Sequence, residues 1–419
     1  MLDIRDIRED REAIERRLRS RDPSIDLGEI VSLDEARRKL ISQVEELKAE
    51  RNRGSQEVGR RKQSGDAVDE LLAHLTEIAE RISTLDAELS ETEERIHQQL
   101  ALLPNVPHES VPTGGKDANI VLRTAGEKPD LPFPVVHHLE IGERKGILDF
   151  PRAAAIAGAR FPMYVGNAAK LEMALIQFMF FHHAHRGYTP VLPPFLANAE
   201  SFYVSSQLPK FADDVYRIER DDLYLNPTAE SLLVNLHRDE ILAVDELPKN
   251  YVAYTPCFRR EAGSYGEEER GLIRVHQFNK VEMFKFVEPA SSYNELESLI
   301  GDAESVLQAL DLHYRVVLLA SGDLAQQTCK TIDLEVYLPG QQRYYEVSSC
   351  SNCEAFQARR GGIRYRPGKK AKPEYVHTLN GSGLATSRLM AAILENNQME
   401  DGRIAVPKVL QTAVGAEMI

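Results

Sequence analysis

Hydrophobic positions follow two different rhythms along this chain. From Leu71 the apolar residues fall at Leu71, Leu75, Ile78, Ile82, Leu85 and Leu89, and the stripe runs on through Thr92, Ile96 and Leu103. Steps of four and three sustained over about four heptads make a coiled-coil seam. Upstream, Leu33, Leu40 and Leu47 recur every seven residues, with Ala36 and Val44 completing the stripe. The stretch between, GRRKQSGDAVDE, holds Gly59, Ser64 and Gly65, suited to a reversal of the chain. The pattern predicts two long helices, 32–60 and 66–102, folded back as an antiparallel hairpin that ends at Pro104. So long a hairpin has too little chain around it to be covered, and it is expected to project into solvent.

Residues 104–150 are rich in Pro and Gly and read as a linker leading into a second domain. From 151 to 419 the rhythm is mixed. Helical spacing covers 167–186 and 291–311, and a helix over 384–397 follows a Gly-rich turn. Strand-like alternation covers 251–260, 272–286, 314–319 and 331–338. Antiparallel strand signals among helices, with no βαβ rhythm, predict an α+β domain. Neither GxxxxGK[ST] nor GxGxxG occurs, so neither phosphate-loop nucleotide fold is supported. The expected division is a helical arm over 1–103, the linker and start of the second domain over 104–150, and its core over 151–419.

One strand breaks the ordinary pattern. In RVHQFNKVEMF, one parity carries Arg274, His276, Phe278, Lys280 and Glu282, and the other Ile273, Val275, Val281 and Met283. The period of two puts these sets on opposite faces. A lone Phe among charges of both signs does not suit a face meant only for water. The preceding strand ends FRRE, which puts Arg259 and Glu261 on one parity, and the connection AGSYGEEERG is too long for a tight turn. A flat aromatic flanked by guanidiniums suits a purine nucleotide, whose ring stacks while arginines take the phosphates. A surface ion-pair ladder is the bland alternative.

Composition narrows the partners. The chain has 419 residues, 42% hydrophobic and 28% charged, with a net charge of −14. An acidic protein binds nucleic acid only through a local basic patch. Such a patch exists on the arm, where Arg51, Arg53, Arg60, Arg61 and Lys62 gather toward the tip; dimerisation or a spacer role is the alternative for the hairpin. The charged N-terminus is no signal peptide, and LIQFMFF is too short to span a membrane, so a cytoplasmic location is expected. Of four cysteines, Cys350 and Cys353 stand in CSNC, but no second ligand pair follows and no structural zinc is expected.

Three further stretches carry candidate chemistry. YYEVSSCSNC places Glu346, Ser348 and Ser349 near a strand end, where carboxylate and hydroxyl oxygens could hold Mg²⁺. LNGSGLATSRLM sets Gly381 and Gly383 around Ser382 before a helix bearing Arg388, an invitation to an anion. NPTAE offers Thr228 and Glu230, two residues apart in extended chain, to an ammonium, or else forms a helix N-cap.

Together these stretches resemble one family. PCFRREAGSYGEEERGLIRVHQFNKVEM is similar to motif 2 of class II aminoacyl-tRNA synthetases, LNGSGLATSRLMAAILENNQ to motif 3, and GYTPVLPPFL to the dimer-interface motif 1. NPTAE, EVSSCSNCEAFQARR, SSQLPKF and the front hairpin point within that class to the seryl-tRNA synthetases of bacterial type. The chain departs from the pattern at Pro190, where an acidic residue is usual, at Ser205-Ser206 in place of Thr-Gly, and at Ser387 in place of Gly.

The resemblance implies a class II catalytic domain on an antiparallel sheet, and a homodimer that binds tRNA across subunits. It implies ATP-dependent joining of L-serine to tRNA(Ser), and to tRNA(Sec), through a seryl-adenylate. Thr228, Ala229, Glu230, Glu282 and Ser382 would meet the serine. Arg259, Arg260, Glu261, Val275, Phe278, Glu346, Val347, Ser348, Ser349 and Arg388 would meet ATP, with Glu346 and Ser349 ligating Mg²⁺ and Arg259, Glu346 and Arg388 acting in catalysis. The arm would grip the long variable arm of the tRNA through its basic tip. Two rival readings stand beside this one: an adenylating enzyme that loads a carrier protein, and a non-catalytic coiled-coil scaffold.

Overall fold

A computed structural model describes residues 1–262 and 270–419. Most of the connection AGSYGEEERG, residues 263–269, lies outside the described residues. The described chain forms two compact units, one of residues 2–103 and the other of 104–419 together with Met1.

In the first unit, helix α1 runs Gly28–Ser64 and helix α2 runs Asp69–Leu102. Gly65, in the left-handed region at φ 80°, closes α1 and starts the reversal, which therefore falls at Gly65 and not at Gly59. Ion pairs between the helices step in opposite directions, Arg37 with Glu93 and Lys48 with Asp86, which fixes the antiparallel sense. The seam buries Leu33, Val44, Val58, Ile78, Ile82 and Ile96. Ala36 is exposed, contrary to the expected stripe. Asp34 is buried nearby instead, held by two hydrogen bonds from Arg8 of the short helix Ile4–Glu9. At Gly54 the helices approach so closely that a Cβ would come within 2.6 Å of Leu75.

The second unit is built on an eight-stranded sheet: β1 Ile120–Ala125, β2 Thr189–Val191, β3 Lys249–Phe258, β4 Gln277–Val287, β5 Tyr314–Leu318, β6 Lys330–Leu338, β7 Arg343–Asn352 and β8 His377–Ala385. The spatial order is β1-β5-β6-β7-β8-β4-β3-β2. Every neighbouring pair is antiparallel except β2 on β3. Pro190 sits in β2, an edge strand, where the missing N–H is tolerated. The stretch read as a linker contributes β1 and a short helix, His138–Lys145, and ends where a second, Phe150–Ala157, begins, so Pro and Gly there mark turns between elements.

Helices α3 Asn167–His185, α4 Ser292–Ala309 and α5 Thr386–Asn396 cover one face of the sheet. The odd residues of β4, Val281 and Met283, enter that main core. The even residues Phe284 and Phe286 enter a smaller core on the other face, with Ala229 and Leu233. Both faces are covered toward the end of β4, so its alternation gives way there to continuous burial. The even residues Phe278, Lys280 and Glu282 come before Phe284 and Phe286 on the same face, and they decide where the cleft lies.

Candidate active site

A cleft of about 600 Å³ opens above the even face of β4. Thr228, Glu230, Arg259, Glu261, Val275, Phe278, Glu346, Val347, Ser349, Ser382 and Arg388, drawn from separate stretches of sequence, all line it. Phe278 lies opposite Cys257 across the β3–β4 pair, and the Arg259 guanidinium stands 5.2 Å from its ring centroid. That guanidinium also donates to the Pro227 carbonyl at 3.2 Å, which aims it along the cleft wall.

The strand predicted over 272–286 begins only at Gln277. The cause is a tertiary contact: the His276 N–H donates to the Arg160 carbonyl, and the ladder to β3 closes with Arg259 N–H on His276 O. Arg274 therefore reaches the cleft from the segment before β4, where Nη1 lies 2.6 Å from Glu261 Oε2. The charge pair of the ladder reading is real, and Phe278 beside it is what a ladder leaves unexplained.

At the other end of the cleft four side chains form a buried charge cluster. Glu230 opens a single helical turn, Glu230–Leu233, so NPTAE is not extended; Thr228 Oγ1 accepts from the Glu230 N–H at 3.3 Å, as a cap does. The same hydroxyl donates to Glu282 Oε2 at 3.0 Å and accepts from Lys280 Nζ at 3.1 Å, while Lys280 also pairs directly with Glu282. Glu230 Oε1 accepts from Gln327, Gln357 and Asn380 at 3.0, 2.7 and 3.2 Å. Burial, with the nearby Glu282 carboxylate second, pushes the Glu230 carboxyl up to about 7. The cluster holds two carboxylates against one ammonium, so a ligand bringing one further positive charge balances it. Lys280, Gln327, Gln357 and Asn380 escaped the sequence reading. Lys280 stood on the right parity, whereas nothing local marked the amides.

Four expected residues do not line the cleft. Ala229 is fully buried in the smaller core. Glu282 is 1% exposed and lies beneath the floor behind Thr228. The Ser348 hydroxyl is spent on the Ser382 carbonyl at 2.6 Å. Arg260 is exposed, its guanidinium over the Tyr216 ring at 5.7 Å. The Gly-rich turn expected before the helix bearing Arg388 is also revised, because Gly381 and Gly383 lie inside β8. A Cβ at Gly383 would come within 2.6 Å of His183 Nε2, so that glycine serves close packing.

Glu346 and Ser349 are three apart, which on a regular strand means opposite faces. Here the β6–β7 register slips at Val347, since Leu334 pairs with Ser348 and Glu335 with Glu346. The bulge turns both Glu346 and Ser349 into the cleft. Asp333 pairs with Ser349 across the strands, and its Oδ1 is buried with no hydrogen-bond partner. Burial, then the Glu346 charge, holds the Asp333 carboxyl well above its usual range. An all-oxygen donor pair backed by an unsatisfied carboxylate oxygen fits a hard divalent cation. Arg388 Nη1 donates to Glu346 O at 2.8 Å and its Nε to Ile273 O at 3.1 Å, placing a cation beside that pair. All four cysteines are buried thiols, and among the described residues the only three-residue group with metal-ligand spacing, His137–His138–Glu395, contains none of them.

Comparison with known proteins agrees along the whole chain. The seryl-tRNA synthetase N-terminal domain profile matches residues 1–107, and the class II core domain profile (G, H, P, S and T) matches 214–397. The serine--tRNA ligase of Syntrophobacter fumaroxidans is 51% identical over 417 residues, 99% of each chain. The solved seryl-tRNA synthetase of Pyrococcus horikoshii, complexed with ATP, is 39% identical with a TM-score of 0.96, covering 100% of this chain and 99% of that one. The cytoplasmic enzyme of Naegleria fowleri, in complex with AMP, is 30% identical with a TM-score of 0.89, covering 100% and 98%. With both its arm and its cleft-bearing sheet matched, the chain belongs to the seryl-tRNA synthetase family of class II aminoacyl-tRNA synthetases.

Proposed function

We propose that this chain is an ATP-dependent serine--tRNA ligase that activates L-serine as seryl-adenylate and transfers it to tRNA(Ser), and also to tRNA(Sec). The observation that carries the reading is the joining, in one cleft, of the Phe278–Arg259 platform with the Thr228–Glu230–Lys280–Glu282 cluster.

Adenine stacks on Phe278, bordered by Val275 and Glu261. The serine ammonium supplies the charge that the two carboxylates and Lys280 lack, and it sits against Thr228 and Glu230. The serine carboxylate attacks the α-phosphorus in line and pyrophosphate leaves, while Arg259 stabilises the charge that builds on the equatorial oxygens. Arg388 meets the departing phosphates. Mg²⁺ held by Glu346 and Ser349 would supply further neutralisation of the phosphate charge. Serine is selected by hydrogen bonds to its hydroxyl near Ser382, with Glu282 acting from beneath through Thr228; alanine would leave those polar groups unpaired, and threonine would bring an extra methyl.

Transfer to tRNA assigns the basic residues of α1 to the phosphate backbone of the variable arm, read by shape. The proposal includes a homodimer through α3 and β2, supported by the exposure of Met173, Phe181 and Leu192 there.

Pyrophosphate exchange against a panel of amino acids, followed by charging of bulk tRNA and of tRNA(Sec), tests the reading. Serine alone should drive exchange, and serine should then be recovered on tRNA. Absence of serine-dependent exchange would sink the proposal. Exchange without tRNA charging would reassign the acceptor to a carrier protein.

A further inference from the structure

One buried polar cluster in the catalytic unit has no part in the chemistry above, yet it touches a segment bordering the cleft. His138 and Glu395 are fully buried, with Nδ1 2.7 Å from Oε1. With His137 they place ligand atoms within 4.8 Å of one another, the spacing of a metal site. The hydrogen bonds assign them a different task. Glu395 Oε1 accepts also from the His138 N–H and from Gln341, both at 3.2 Å, and Oε2 accepts from the Gly340 N–H at 2.9 Å. His138 Nε2 lies 3.2 Å from the Leu272 nitrogen. A carboxylate that gathers donors accepts, and a backbone N–H only donates. His138 is therefore the neutral tautomer with its hydrogen on Nδ1 and its lone pair on Nε2, already in use.

The residue it holds matters more than the cluster itself. The next carbonyl along the chain, Ile273 O, accepts from Arg388 Nε at 3.1 Å. Arg388 and Glu395 both belong to α5, and seven residues, two turns, put them on one side of it. Helix α5 thus grips two consecutive residues: Ile273 directly through Arg388, and Leu272 through the His138 imidazole. A Cβ at Gly271 would lie 2.6 Å from His138 Nε2, so the backbone there can approach only as glycine, whose φ is 74°. Ile273, Arg274 and Val275, which follow, line the cleft.

We infer that His138, oriented by Glu395, is a positioning residue for nucleotide binding: it fixes the backbone at Leu272, so that Arg274 and Val275 face the adenosine end of the cleft in register with Arg388. The inference rests on the ATP reading of the cleft.

Two variants separate it from simple structural support. In His138→Asn the amide can still donate to Glu395, but no acceptor reaches Leu272. In His138→Gln a side-chain oxygen can again accept from Leu272. The ATP KM for serine-dependent pyrophosphate exchange should rise on the order of tenfold in H138N, as expected for an orphaned buried N–H. H138Q should return to within about threefold of the parent, and the serine KM at saturating ATP should stay within about twofold in both. An unchanged ATP KM in H138N overturns the inference, as does an equal rise of both KM values in both variants that follows their loss of thermal stability. Should the variants not fold, amide hydrogen exchange of the parent decides: Leu272 protected supports the clamp, and exchange at the rate of open chain overturns it. A parent that shows no serine-dependent exchange instead overturns the ATP reading itself.

Discussion

Single side chains here do opposite things according to what surrounds them. Glu230 has its carboxyl raised to about 7 by burial and by Glu282. In the unfolded chain the same group ionises at ordinary carboxylate pH, so on raising the pH the unfolded state releases this proton first. The contribution of Glu230 to stability is therefore greatest in acid and declines as pH rises through about 7. In the proposed binding mode serine runs the other way, because its ammonium would need the carboxylate. Serine affinity of the free protein, titrated calorimetrically, should climb through about pH 7 and then level off. Glu230→Gln should flatten that climb and weaken serine at least about tenfold; a flat profile in the parent would remove Glu230 from the ammonium site. Ser206 is a different case. It holds φ 71° with a buried hydroxyl that has no hydrogen-bond partner, at a position where the resemblance leads one to expect glycine. Ser206→Gly should stabilise the protein by about 1 kcal/mol in denaturant unfolding, through relief of left-handed strain and of an unsatisfied hydroxyl. A lower unfolding midpoint would show that the hydroxyl is satisfied in solution.

At the scale of elements, the bulge at Val347 is the device that brings Glu346 and Ser349, the proposed Mg²⁺ donors, to one face of the strand. If the strand ran regularly across this three-residue spacing, Glu346 and Ser349 would face opposite sides of the sheet. Deleting Val347 leaves Glu346 and Ser349 two residues apart, on one face of a regular strand, so pyrophosphate exchange should fall but survive at raised Mg²⁺; its complete loss at any Mg²⁺ concentration would mean that the bend of the bulge, and not the shared face, is what the site needs. No periodicity announces a bulge, which is why EVSS marked two residues that line the cleft without the geometry that joins them. The alternation in β4 was legible for a better reason. Phe278, Lys280 and Glu282 share a parity, and parity survives whatever covers the strand. The alternation failed over 272–276, where His276 exchanges the sheet for Arg160, a partner more than a hundred residues away. Thr228 and Glu230 were found as a pair, but their turn of helix is set by packing in the smaller core.

Across the whole molecule, activation and tRNA binding are assigned to separate units, and that division can be tested. The change of Arg51, Arg60 and Arg61 to Ala should weaken tRNA charging and reduce its salt dependence, while pyrophosphate exchange continues unchanged. Equal loss of both activities would refute the division. The reversal at Gly65 grades the three residues: Arg60 and Arg61 lie in the last turns of α1, whereas Arg51 is about 20 Å down the helix at 1.5 Å per residue. Arg60 and Arg61 also pair with Glu57, so part of their charge is offset before any RNA arrives. The sequence by itself determined the two-helix arm, the α+β class of the remainder and most of the residues of the cleft. Heptads, strand parity and residue chemistry are local properties, and no partner is needed to express them. Tertiary structure alone decided which of those residues meet. The amides on Glu230 and the hold of His138 on Leu272 each join stretches about a hundred residues or more apart in the chain, and such contacts exist only once the sheet has closed.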